Sequence, residues 1–123
     1  MTRLEPAENG EQMRRMVDFF NTGDVSELAS VVATDYLDHQ GVGQGPLFGA
    51  DGFASVVQLS RERHPALSVD IDELHAAGDV VVTKLNWSEP SSGQTEFHTY
   101  RRTIEIVRFA EGLAVEHWGT RLD

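Results

Sequence analysis

A chain of 123 residues is the size of one domain, long enough to close a hydrophobic core without disulfides or a structural metal. It has no cysteine, which excludes disulfides, thiolate nucleophiles, iron–sulfur clusters and thiolate zinc sites and leaves any chemistry to oxygen and nitrogen side chains. Its net charge of −10 repels phosphate backbones and anionic headgroups, and no apolar run approaches the ~18 residues of a membrane span, so neither nucleic acid nor membrane is an expected partner.

The opening segment, MTRLEPAENGEQ, has no basic stretch leading into an apolar one, and a cytoplasmic protein is expected. From Asn9 to Thr22, Met13, Met16, Val17 and Phe20 recur at helical spacing, with Asn9 and Gln12 as a capping pair and Gly23 closing the end. Asp24 and Glu27 repeat the capping pattern ahead of Leu28, Val31 and Val32, which predicts a short second helix in a hairpin with the first. Tyr36-Leu37-Asp38-His39 reads as a brief extended piece. The glycine-rich GVGQGPLFG after it holds no regular element and is expected to lie over a pocket mouth as a mobile lid.

Phe53, Val56 and Val57 mark a third helix that starts near Asp51 and ends around His64, because Pro65 disfavours a helical residue before it. Everything afterwards reads as sheet. Leu67, Val69 and Ile71 alternate with polar residues, Ala77-Gly78-Asp79 turns the chain, and Val80 to Trp87 is apolar on both faces. After the turn-forming SEPSSGQ, Glu96 to Phe109 is a long strand, and Glu111-Gly112 leads into a last strand from Leu113 to Gly119. Helices first and strands later predict a single α+β domain over residues 1–123, one face of its bent antiparallel sheet covered by helices.

GVGQGP lacks the Lys-Ser/Thr of a phosphate loop. The histidines lack the i, i+4 helical spacing of a zincin, and no acidic cluster matches a calcium loop. No metal and no cofactor is expected.

The ordered segments GDVSELASVVATDYLDHQ, HPALSVDIDELHAAGDVVV and IEIVRFAEGLAVEHWG resemble the SnoaL-like polyketide cyclases of the nuclear transport factor 2-like (ketosteroid isomerase-like) superfamily over nearly the whole chain. Tyr-x-Asp-His, Gly-Asp before a valine-rich strand, and Arg-Phe-x-x-Gly followed by Glu-His-Trp recur in the right order. The resemblance implies a cone-shaped domain of three helices and a curved antiparallel sheet around a blind pocket, a small apolar organic ligand, and homodimers paired through the outer sheet face. Functions in the superfamily include aldol ring closure, steroid isomerisation, epoxide hydrolysis, dehydration and plain ligand binding. In the cyclases, an aspartate directly after Glu-His-Trp is the acid/base; here that position is Gly119. A second polar position, histidine on the preceding strand, falls at Glu105, where a carboxylate relocates the acid/base by one strand.

The candidate catalytic residues are His39, Glu105 and His117. His39 precedes the flexible loop, in the region from which steroid isomerases present their base; it is either that base or a hydrogen-bonding anchor for the loop. Glu105 shares strand parity with Thr103 and Val107, so it lies in the pocket or on a solvated face. His117 shares parity with Val115 and Gly119, with Glu116 and Trp118 turned the other way, and it is either a pocket residue or a surface one. Phe20, Trp87 and Trp118 offer faces for a flat ring or simply packing, and Tyr36 and Tyr100 offer donors to an enolate oxygen. His98 is placed near Tyr100, facing the pocket, whereas His64 and His75 are assigned to solvent. Two readings follow: a cofactor-independent cyclase, isomerase or hydratase acting by acid/base catalysis on a polyketide-like or steroid-like substrate, or a non-catalytic ligand-binding or dimerisation module.

Overall fold

The computed structural model describes residues 6–39, 46–93 and 95–122. The first helix, α1, spans Pro6–Thr22 and stops at Gly23, whose positive φ of 73° lets its N–H reach back to the Phe19 carbonyl at 2.8 Å. Asn9 and Gln12 are not a cap, because the helix begins before them. Asn9 donates to the Gly78 carbonyl, and the Gln12 amide donates to the Ser30 and Gly112 carbonyls at 2.9 and 2.7 Å, tying α1 to two turns.

The expected second helix is a single 3-10 turn, Leu28–Ser30. Asp24 spends its carboxylate on the Ser26 N–H at 3.0 Å in a local turn, and no side chain caps the segment at Glu27. Val32–Asp38, which opens with Val-Ala-Thr, is strand β1, because pairing with the C-terminal strand satisfies more backbone groups than one further helical turn could. Among the described residues there are therefore two α-helices rather than three. Strand β2, Leu47–Phe48, pairs with Leu37 and Asp38, so the end of the glycine-rich segment does hold a short regular element; residues 40–45, the body of the expected lid, lie outside the described residues.

Helix α2, Gly49–Arg63, ends at His64 ahead of Pro65, as the sequence requires. Arg61 near its end donates to the Phe20 and Asn21 carbonyls at 2.8 and 3.1 Å, closing the C-terminus of α1. Strands β3 (Ser68–Ala77), β4 (Val80–Pro90), β5 (Phe97–Ala110) and β6 (Leu113–Arg121) follow as a meander. The sheet order is β2-β1-β6-β5-β4-β3, a curved antiparallel sheet as expected apart from β1 against β6, which is parallel.

Register slips in β3 after Ile71, between β4 and β5 after Trp87, and between β5 and β6 after Arg108 curve the sheet. The edge strand β3 is held to α1 by Asn21, whose side chain accepts from Val69 N–H at 2.7 Å and donates to its carbonyl at 3.0 Å. No helix among the described residues is long and apolar enough to cross a membrane.

Both helices lie on the concave face. Phe53 of α2 is the hub of the core, meeting Phe19, Phe20 and Tyr36 edge-on at 6.1, 5.6 and 6.0 Å between ring centroids. Truncating a buried aromatic costs about 3–5 kcal/mol. We expect Phe53→Ala to lower the urea midpoint by that equivalent with an unchanged m-value; a loss under about 1 kcal/mol would show that the hub is not shared in this way.

Candidate functional site

Between the helices and the concave sheet face lies a cavity of about 170 Å³, walled by Met13, Met16, Phe20, Phe53, Leu85 and Trp87. Its charged lining comes from three neighbouring strands, and Ser60 of α2 adds a hydroxyl. On β5 the register against β4 is unbroken from Arg101 to Arg108, so Arg101, Thr103, Glu105 and Val107 alternate onto the same inner face, and all four line the cavity. On β1 the same alternation turns Tyr36 and Asp38 inward, and on β6 it turns His117 inward.

These residues converge. Asp38 and His117 are register partners across the parallel β1–β6 pair, and Glu105 pairs with Gly119, one diagonal step from His117. His117 Nδ1 lies 2.8 Å from Asp38 Oδ1, and its Nε2 lies 2.6 Å from Glu105 Oε1. Both carboxyl groups are buried, Asp38 4% and Glu105 9% exposed, so each depends on the ring between them.

Burial alone would discharge the imidazole and lower its pKa. The hydrogen bonds to Asp38 and then Glu105, with the charges behind them, overcome that cost and raise the His117 pKa from 6.5 to about 9. At neutral pH the ring is a cation donating from both nitrogens, with no lone pair left for a ligand. Tyr36 beside it has its pKa pushed up, first by burial and then by the charges of Asp38 and Glu105. Its phenol therefore stays protonated and remains a donor.

Trp87 and Phe20 meet edge-on at 5.1 Å and form an aromatic wall; the Trp87 N–H is spent on Thr103 Oγ1 at 2.9 Å, so only its ring faces a ligand. Of the sequence candidates, Glu105, His117, Tyr36, Trp87 and Phe20 line the cavity.

Four other candidates lie elsewhere. His39 follows Asp38 by one residue and so turns to the outer face, where its Nε2 lies 2.6 Å from Glu116 Oε2 and its ring stacks on Trp118 at 5.0 Å. Glu116 also takes Arg108 at 3.0 Å, and its pKa is held low by His39 first and Arg108 second. Trp118 is accordingly an outer-face residue. His98 is exposed on β5 and 3.1 Å from Ser91 Oγ. Tyr100 occupies the slipped position between β4 and β5; its ring stacks on His64 at 4.1 Å, and it is not among the residues that line the cavity. His64, assigned to solvent, instead bonds Glu89 at 2.7 Å.

Asp38, Arg101 and Arg121 are charged lining residues that sequence reasoning passed over. Strict alternation would have found Asp38, because a pocket-facing Tyr36 requires an inward residue 38 and an outward residue 39. Among the described residues, no group of three His, Asp or Glu is arranged to hold a metal ion.

The sequence profile of the SnoaL-like domain family matches residues 13–117. Among solved structures, a candidate polyketide cyclase from Bacillus cereus ATCC 10987 has a TM-score of 0.79 at 22% identity, over 94% of this chain and 74% of that one. Wild-type IdmH, a candidate polyketide cyclase from Streptomyces antibioticus, has 0.75 at 22% identity over 93% and 91%. TsrD from Streptomyces laurentii has 0.78 at 21% identity over 97% and 91%. At these identities the likeness is one of fold. No curated protein matches the chain.

The raised His117 pKa has a consequence for stability. Its contribution is complete below pH 6.5, where the unfolded residue is also protonated, and is lost as pH rises through about 9. Across that interval we expect unfolding free energy to fall by about 3 kcal/mol in the native protein and not in His117→Gln, measured by urea denaturation from pH 6 to pH 9.5. Parallel pH profiles for the two proteins would show that the imidazolium does not carry this energy.

Proposed function

The chain belongs to the SnoaL-like domain family and has its nuclear transport factor 2-like α+β fold, and on that footing we propose that it is a cofactor-independent acid–base enzyme of the cyclase, isomerase or hydratase type, working in the cytoplasm on a small apolar organic substrate. The observation that carries this reading is the Asp38–His117–Glu105 array set in an apolar cavity beside a protonated Tyr36. The candidate polyketide cyclases among the structural neighbours support enol chemistry in particular.

The roles follow from which atoms are free. His117 uses both nitrogens to hold the carboxyl groups, so it is a positioning residue. Glu105 has a second carboxyl oxygen that can take a proton from a carbon beside a substrate carbonyl. The C–H electron pair becomes the enol double bond, the carbonyl oxygen takes up the charge, and the Tyr36 O–H donates to it. The enolate then takes the proton back from Glu105 at another carbon, or attacks a second carbonyl carbon to close a ring, the π pair of that carbonyl passing to its oxygen, which takes the proton from Glu105. Glu105 pairs with Gly119, so this carboxylate stands directly across the strand from the position the cyclases give to their aspartate.

A cavity of about 170 Å³ is near the roughly 150 Å³ that holds a benzene and below the ~300 Å³ of drug-sized pockets, so it fits one or two rings rather than a whole steroid. A second reading, a non-catalytic ligand-binding module, is favoured by the saturation of His117 and by the glycine at 119.

Deuterium exchange into 2-indanone, an enolisable ketone of this size, separates the two. The native protein is expected to accelerate exchange above buffer, Glu105→Gln to lose about a hundredfold or more, and Tyr36→Phe about tenfold to a hundredfold with binding intact. Binding without exchange would leave only the ligand-binding module.

We also propose a homodimer through the outer sheet face. Val82, Ile106 and Trp118 are register neighbours there, and Trp118 is 38% exposed in the monomer. Sedimentation of the native protein as a dimer and of Ile106→Glu as a monomer is expected; a native monomer at micromolar concentration overturns it.

A further inference from the structure

The triad does not exhaust the charged lining of the cavity. Arg101 sits on the same face of β5 as Glu105, and its guanidinium lies 5.3 Å from the centroid of the Trp87 ring and 5.6 Å from that of Tyr100. Among the described residues it forms no ion pair with a carboxylate, in a chain with twice as many acidic as basic residues. Arg121 of β6 lines the same cavity, and its strand position pairs with Thr103, two residues from Arg101. The cavity is therefore polarised: two carboxyl groups around one imidazolium at one end, the Arg101 guanidinium at the other, and aromatic and aliphatic side chains between them.

We propose that Arg101 selects the ligand by binding a carboxylate, so that the substrate is an aromatic or alicyclic organic acid with its anionic group at Arg101 and its reacting carbon near Glu105. This deepens the proposed function by naming its substrate class, and as a statement about binding it can be tested apart from turnover.

Three observations combine in it. A cation stacked in an aromatic wall with no carboxylate partner among the described residues is matched by an anion from the ligand, and an arginine offers a planar fork suited to a carboxylate. The regular register fixes the separation: four residues of strand place the Arg101 and Glu105 backbones about 13 Å apart, the length of a ring carrying a short acid chain. The arrangement also sets orientation, because a carboxylate is repelled by Asp38 and Glu105 and attracted by Arg101. A ligand held this way presents its far end to the base.

The probes are 4-phenylbutanoate and its carboxamide, equal in size and differing in charge, titrated calorimetrically into the native protein, Arg101→Gln, Arg101→Lys and Glu105→Gln. The native protein is expected to bind the acid at least about tenfold more tightly than the amide, with the preference falling as salt is added. Arg101→Gln is expected to abolish the preference while binding the amide as the native protein does, which shows that its cavity is intact. Arg101→Lys is expected to keep part of the preference. Equal affinity for acid and amide in the native protein, an undiminished preference in Arg101→Gln, or no binding of the acid at millimolar concentration overturns the proposal. A preference retained in both native protein and Glu105→Gln, together with no exchange into 2-indanone by either, would remove the enzymatic reading and leave carboxylate selection standing.

Discussion

One buried imidazolium holds the functional half of this molecule together. Asp38, His117 and Glu105 come from β1, β6 and β5, and none of the three is tolerable alone in an apolar cavity: a lone carboxylate or a lone imidazolium there would lose several kcal/mol of hydration with nothing in return. Together they are satisfied, and the arrangement constrains the fold as well as the chemistry. Sliding β1 by one residue against β6 would turn Asp38 outward and His39 inward, breaking the array and setting an unpaired ring in its place. The only parallel pairing in the described sheet is thus fixed in register by a polar contact as well as by the apolar residues around it.

This constraint separates the groups that hold from the groups that react. His117 has the raised pKa, yet its nitrogens are both committed, so its cation serves to keep two carboxyl groups close together in a space where they would otherwise repel. In the proposed chemistry the reactive groups are the second Glu105 carboxyl oxygen and the Tyr36 phenol. A glycine in place of the cyclases' aspartate at 119 is consistent with that division. The residue opposite it, Glu105, places a carboxylate on the neighbouring strand, and the His117 bond orients it.

Much of this was legible in the sequence where period and parity were applied consistently. The first and last helices, the four C-terminal strands and their turns follow from apolar spacing and from Gly23, Pro65, Gly78 and Gly112. The shared parity of Thr103, Glu105 and Val107 was readable too, but not which face they take, and so was the split of Glu116-His117-Trp118 between two faces. Val31 and Val32 misled, because a helical reading of residues 28–32 satisfies local spacing; only the non-local partner on β6 reveals a strand, and propensity carries no information about that partner. Tyr100 is obscured for a related reason. The slip between β4 and β5 interrupts the alternation at its position, and a bulge leaves no mark in composition.

The choice of His39 over Asp38 shows what residue type alone cannot decide. Each sheet face carries a histidine between acidic and aromatic neighbours: His39 with Glu116 and Trp118 outside, His117 with Asp38, Glu105 and Tyr36 inside. The two groups are nearly the same chemistry. The outer imidazole is 37% exposed and water screens its bond to Glu116, so that pair contributes little beyond local packing. The inner one is 14% exposed, and in that drier setting the same kind of contact raises the His117 pKa and fixes the Glu105 carboxyl in place. Function is therefore decided less by which residues the chain contains than by the strand parity that sends one of each kind inward, and parity follows from a register that the buried triad itself helps to fix.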